Sequence, residues 1–138
     1  MQLLSAKGRI IYNPTTYDHK DKKESENWVI VETSRDFGLL YRYFLYKQTG
    51  TILQSSFWGS HISIVRGEKI SPKYKNVFWK KYHNQEVVFS YDPYVMDNGL
   101  HWWVLVYSDL LKTLRKELCL SLSAIPPFHM TLGNVNRG

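Results

Sequence analysis

Two short passages of this chain repeat one pattern, and that repeat limits what the chain can fold into. Ser60 to Arg66 reads SHISIVR and Phe128 to Val135 reads FHMTLGNV. Each sets a histidine, an apolar residue, a hydroxyl residue and a second apolar residue in order: His61-Ile62-Ser63-Ile64 and His129-Met130-Thr131-Leu132. A period of two is the signature of a strand, because side chains two apart share a face. His61 and Ser63 then point one way while Ile62 and Ile64 enter a core, and the second passage does the same. Such a chain needs a sheet with one packed face and one open, cleft-lining face.

The rest of the chain supplies that sheet. Lys7 to Asn13 (KGRIIYN) reads as a strand stopped by Pro14, and Trp28 to Glu32 (WVIVE) as a second strand rich in β-branched residues. The segment SRDFGLLYRYFLYKQTG predicts a helix capped by Ser34, with Phe37, Leu40, Tyr41, Phe44 and Leu45 on one face and Gly50 ending it. A short helix is expected over Tyr74 to Tyr82. Glu86 to Tyr91 and His101 to Tyr107 read as strands, with Asp97-Asn98-Gly99 as the hairpin signal between them. Ser108 caps a helix with Leu111, Leu114 and Leu118 on one side, and Pro126 and Pro127 break the chain before the final strand. Each histidine strand thus follows a helix. With no linker or low-complexity stretch, residues 1–138 read as a single α+β domain with mostly antiparallel sheets.

Composition narrows the classes of partner. With 43% hydrophobic and 22% charged residues the chain has the means to build a core. A net charge of +6 raises the local concentration of phosphate-bearing ligands. The densest charged stretch, Asp18 to Glu26, mixes signs and reads as a solvated loop. The single cysteine, Cys119, excludes an intrachain disulfide and fits a reducing cytosol; flanked by Leu118 and Leu120, it is expected to be buried and inert. No apolar run approaches the ~20 residues needed to cross a bilayer, and MQLLSAKGRIIYNP lacks a signal-peptide pattern. A cytoplasmic protein with no membrane partner is expected.

Two imidazoles and two hydroxyls brought together suit phosphodiester cleavage. One histidine activates an attacking hydroxyl or water as base and the other protonates the leaving oxygen, since an ordinary pKa near 6.5 allows either state at neutral pH. Ser63 and Thr131 can donate to the non-bridging phosphate oxygens. A zinc site is disfavoured, because no His-x-x-x-His or Cys-x-x-Cys cluster occurs. No metal or cofactor is expected. The remaining histidines, His19, His83 and His101, lack the pattern.

The paired His-x-Ser/Thr motifs, 129 − 61 = 68 residues apart, resemble those of the 2H phosphoesterase superfamily. From about Lys7 onward, HISIVRGE, HWWVLVY, the leucine helix and PFHMTLGN look most like the phage anti-CBASS nucleases. The superfamily resemblance implies a bilobal α+β fold, with flanking helices and the histidines facing each other across a central cleft. The nuclease resemblance implies hydrolysis of 3′–5′ bonds in cyclic di- and trinucleotide immune signals, in the bacterial host cytoplasm if the chain is phage-encoded.

In that scheme His61 and His129 are acid and base in an order left open, and Ser63 and Thr131 bind phosphate. Tyr12 either meets a nucleobase or is an edge-strand aromatic. Trp79 either stacks on a base or packs its helix. Arg66 and Lys69 attract phosphates, unless Arg66 only pairs with Glu68. Alternative substrates are RNA 2′,3′-cyclic phosphates or 2′–5′ linkages, and an alternative of another class is a non-catalytic cyclic-nucleotide sponge. Stable binding to nucleic-acid duplexes is not expected. Related enzymes can carry a C-terminal lid, whereas nine residues follow His129 here, so another segment is expected to serve if a lid exists.

Overall fold

The computed structural model describes residues 2–14, 27–55, 58–122 and 127–135. His19, the charged stretch Asp18 to Glu26 and Pro126 lie outside the described residues. The described elements run β1 (Leu4–Tyr12), β2 (Trp28–Thr33), α1 (Arg35–Thr49), β3 (His61–Arg66), α2 (Pro72–Phe78), β4 (Glu86–Tyr91), β5 (Met96–Asp97), β6 (His101–Tyr107), α3 (Asp109–Glu117) and β7 (Phe128–Asn134). Antiparallel pairing in the order β4-β1-β2-β3-β7-β6 closes on itself through a β4–β6 pairing, giving a six-stranded barrel, while β5 extends the edge of β6. The class is α+β, as expected from the pattern.

Alternation along the strands fills the barrel. Ile10 and Tyr12, Val29 and Val31, Ile62 and Ile64, Val87 and Phe89, Val104 and Val106, and Phe128, Met130 and Leu132 form one buried cluster, joined by Leu111, Leu114 and Leu118 of α3. The β5–β6 turn forms where Asp97-Asn98-Gly99 predicts it. Asn98 Oδ1 accepts from the Leu100 and His101 amides at 2.9 and 2.8 Å, and Gly99 takes φ 86°.

The chain builds the barrel from one topological unit used twice. β1, β2, α1 and β3 follow one another, with β2 and β3 paired antiparallel across the helix. β4, β6, α3 and β7 repeat that order, with β6 and β7 paired across the second helix. The two units meet at two antiparallel seams, β1 with β4 and β3 with β7. Both helices begin at a serine cap, Ser34 and Ser108.

Two expectations are corrected. On α1, Leu40 and Phe44 are 55% and 50% exposed, whereas Gly38 is buried and Phe37 and Tyr41 pack on the core. The cause is a close approach at Gly38, which turns the helix so that its Gly38 side, not its Leu40 side, faces the barrel. Cys119 is exposed. Just past α3 it takes φ 58°, which directs Leu118 and Leu120 inward and the thiol outward.

Candidate active site

The outer face of the β3–β7 seam carries the histidines. His61 pairs with Thr131 and Ile62 with Met130. Ser63, two residues after His61, and His129, two before Thr131, follow on the same face just beyond these pairs. Flanking strands extend both rows: Glu32 of β2 pairs with His61 and Ile30 with Ser63, while Trp103 of β6 pairs with Thr131 and Leu105 with His129. One row therefore reads Glu32, His61, Thr131, Trp103, and the next reads Ile30, Ser63, His129, Leu105. Ile62 and Met130 are fully buried on the other face. The four residues singled out by the repeated pattern stand on one surface because antiparallel pairing sets His61 beside Thr131 and alternation keeps Ser63 and His129 on the same face.

Each histidine has a distinct setting. His61 is 7% exposed, and its Nδ1 lies 2.9 Å from the Gly59 carbonyl. A carbonyl only accepts, so Nδ1 carries a proton and Nε2 is the nitrogen that gains or loses one. Burial pulls the His61 pKa below its ordinary value, the Gly59 hydrogen bond opposes this, and Arg66 adds to the lowering. His129 faces Arg66, whose Nη2 sits 3.1 Å from Nε2 and 3.5 Å from Nδ1. Burial first, then the charges of Arg66 and His61, push its pKa down to about 4.

Aromatic rings flank both imidazoles. Trp58 meets His61 edge-on with ring centres 5.4 Å apart and leans on Trp28 at the same separation. Trp103 lies 5.9 Å from His129. Beyond Ser63 a recess of about 310 Å³ opens between Arg66, Glu68, Arg115, Ser121 and Pro127. On the His61 side a second recess of about 430 Å³ is walled by Glu32, Arg35, Arg42 and Trp58. A phosphodiester at the histidines thus has concave surface on both sides for the groups it joins.

Arg66 belongs to the site, and Glu68 is not its side-chain partner. The Glu68 carboxylate is forked by Arg115 at 2.7 and 2.9 Å and receives only the Arg66 backbone amide, at 3.3 Å. Lys69 is exposed beyond the strand end.

Tyr12 and Trp79 are not brought to the histidines. Tyr12 shares the inward face of β1 with Ile10 and is 3% exposed inside the barrel, where burial pushes its pKa up to about 12. Trp79 packs edge-on against it at 4.9 Å, the packing reading of Trp79, whereas Tyr12 is a core residue and not an edge-strand aromatic, since β1 is paired on both sides. His83 accepts the Tyr12 amide at Nδ1, 3.2 Å away, and serves the backbone rather than the site.

Comparison of the chain with models of known protein families, with curated proteins and with solved structures finds no match. The geometry has to speak for itself.

Sequence reasoning missed Glu32, Trp58 and Trp103, whose place depends on cross-strand register. It also missed two arginines that brace the site. Arg42 of α1 donates from Nη1 to the Leu132 carbonyl at 2.8 Å, and Arg115 of α3 donates from Nη1 to the Ile64 carbonyl at 2.7 Å. A signal for Arg115 exists in the sequence, because it interrupts the apolar stripe of Leu111, Leu114 and Leu118. Among the described residues no helix is long and apolar enough to cross a membrane.

Proposed function

We propose that the chain is a metal-independent phosphodiesterase of the 2H type, its two repeated β-β-α-β units being the two lobes of that fold. Its substrates are cyclic di- and trinucleotide signals, cleaved at 3′–5′ bonds, and silencing such signals would serve phage evasion of host defence. The observation that carries this reading is the seam quartet. His61, Ser63, His129 and Thr131 share one face of two paired strands, with His61 paired to Thr131 across the seam.

The chemistry divides into two balanced steps. The ribose 2′-hydroxyl gives its proton to one histidine while its oxygen bonds to phosphorus. The phosphorus–O5′ bond breaks, and the second histidine protonates O5′. In the second step, water gives a proton to the now-neutral second histidine and its oxygen bonds to phosphorus, the phosphorus–O2′ bond breaks, and the first histidine returns its proton to O2′. Ser63 and Thr131 donate to the non-bridging oxygens as charge builds there. Flat indole surfaces beside both imidazoles suit the two bases that flank a scissile phosphate.

The test is a panel of cyclic di- and trinucleotides, RNA ends with 2′,3′-cyclic phosphate and 2′–5′ linked dinucleotides, incubated with the protein in excess EDTA. Mass spectrometry is expected to find linear products from the cyclic oligonucleotides. Cleavage confined to the RNA ends or 2′–5′ linkages would move the assignment to RNA processing. Tight binding without turnover would make the chain a sponge.

A further inference from the structure

The geometry points to a fixed division of labour in the first step, with His129 as the base and His61 as the acid, and with Arg66 as the residue that sets it. This inference rests on the phosphodiesterase reading and deepens it.

The two halves of the site differ where the topology repeats. Five residues beyond His61 stands Arg66, and five beyond His129 stands Asn134, so one guanidinium breaks the pseudo-twofold relation. It lies across the seam, with Nη2 3.1 Å from His129 Nε2. The same Nη2 is 3.5 Å from Nδ1, so the guanidinium sits against the imidazole as a whole. A cation held this close disfavours the imidazolium, so the free protein holds His129 neutral, which is the form a general base requires.

Burial and Arg66 lower the His61 pKa too, but its hydrogen bond to Gly59 works the other way. The Gly59 carbonyl holds Nδ1–H, and this hydrogen bond persists when Nε2 is also protonated, so it supports the imidazolium. Glu32 is its cross-strand partner on β2 and offers a carboxylate on the same face. No carboxylate stands in the corresponding place beside His129, whose partner on β6 is Leu105. Among the described residues the charged groups around the pair are Glu32 from β2, Arg35 and Arg42 from α1 on the His61 side, Arg66 from β3, and the Arg115–Glu68 fork at the edge of the adjoining recess. Of these, Arg66 is the one in contact with His129. The lowering of the His129 pKa by Arg66 agrees with this geometry. When a phosphodiester arrives, the exposed Arg66 side chain can transfer to a non-bridging oxygen, freeing the His129 ring to take the proton of the attacking hydroxyl.

A leaving-group substitution separates the two roles. The probe is a nucleoside 3′-(p-nitrophenyl phosphate), whose phenolate leaves without protonation, set against the matching dinucleoside monophosphate, whose alkoxide does not. His61→Ala is expected to lose roughly 10²–10⁴-fold on the dinucleotide but less than about tenfold on the nitrophenyl ester. His129→Ala is expected to lose roughly 10²–10⁴-fold on both. Arg66→Gln provides a check with both histidines in place. Removing the cation lets the His129 pKa rise, so the acidic limb of kcat/KM moves to higher pH. Rescue of His129→Ala instead of His61→Ala, equal losses by both variants on both esters, or an unmoved acidic limb would overturn the division while leaving the phosphodiesterase intact. Absence of wild-type cleavage of either ester and of the cyclic oligonucleotides would overturn the phosphodiesterase reading itself.

Discussion

Arg42 and Arg115 hold equivalent carbonyls in opposite halves of the barrel. Arg42 reaches from α1, in the first unit, to the carbonyl of Leu132, three residues past His129 in the second. Arg115 reaches from α3, in the second unit, to the carbonyl of Ile64, three residues past His61 in the first. Each helix thus ties down the motif strand of the other unit. The register between the two strands decides whether the hydroxyls stand beside the opposing histidines, so these ties act on the site from behind it.

The two ties should differ in strength. Arg115 is 8% exposed and also forks Glu68 and donates to the Ser121 carbonyl. Arg115→Met is expected to destabilise the protein by about 3 kcal/mol, because Glu68 loses its partner as two carbonyls lose a donor. Arg42→Met strands the Leu132 carbonyl, and a cost of about 1–2 kcal/mol is expected. Urea melts measure both. Arg42→Met should also lower kcat more than it raises KM, with Arg42→Lys restoring part of the loss. Melts within about 0.5 kcal/mol of wild type for both variants, the scale of neutral surface changes, would show that the ties carry no load.

Stability should fall as the solution is acidified from pH 6.5 to about 4. In the unfolded chain His129 titrates near its ordinary 6.5, whereas burial and Arg66 hold it to about 4 in the fold. Between those values the unfolded state binds the extra proton, so stability rises with pH across the window and the gain is complete above 6.5. His61, lowered in the same direction, adds to the slope. Urea midpoints measured across this range should therefore climb with pH, and His129→Gln should flatten the climb. An unchanged slope in that variant would assign the effect to other groups.

How much of this was legible in the sequence depends on the range of the interaction concerned. The strands at Glu86–Tyr91 and His101–Tyr107, both serine caps and the Asp97-Asn98-Gly99 turn follow from local chemistry, and they stand where that chemistry puts them. The pairing of His61 and His129 was legible because both motifs share a period, which fixes the face each histidine occupies. The identity of their neighbours was not. Glu32 and Trp103 enter the site only through register with β3 and β7, and a shift of one residue would send either to the other face. Tyr12 shows the same dependence in reverse. A tyrosine before a proline reads equally well as an edge residue or a ligand platform, and the closure of β1 against β2 and β4 is what buries it.

The placement of Tyr12 has a direct consequence. Its hydroxyl lies near the Tyr82 backbone but makes no well-formed hydrogen bond within the barrel. Removing it takes away a buried polar atom without stranding a partner. Tyr12→Phe is therefore expected to leave stability unchanged or raise it by up to about 1 kcal/mol, with kcat/KM near wild type. A loss of activity at unchanged stability would instead place Tyr12 at the substrate.

Gly38→Ala should run against helix propensity. In an exposed helix interior alanine is favoured over glycine by about 1 kcal/mol. Here a methyl group would run into Ser60 Oγ and lie 2.7 Å from Arg42 Nη1. Both neighbours bear on the site: Ser60 directly precedes His61, and Arg42 holds the Leu132 carbonyl. Ser60 cannot retreat easily, since its own carbonyl accepts from the Thr33 amide and hydroxyl. The expected result is a net destabilisation of about 1–3 kcal/mol, the usual scale of overpacking, accompanied by a fall in kcat larger than any change in KM. A rise in melting temperature would mean that α1 can shift away from the barrel at no cost, and that the contact at Gly38 does not help fix where His61 stands.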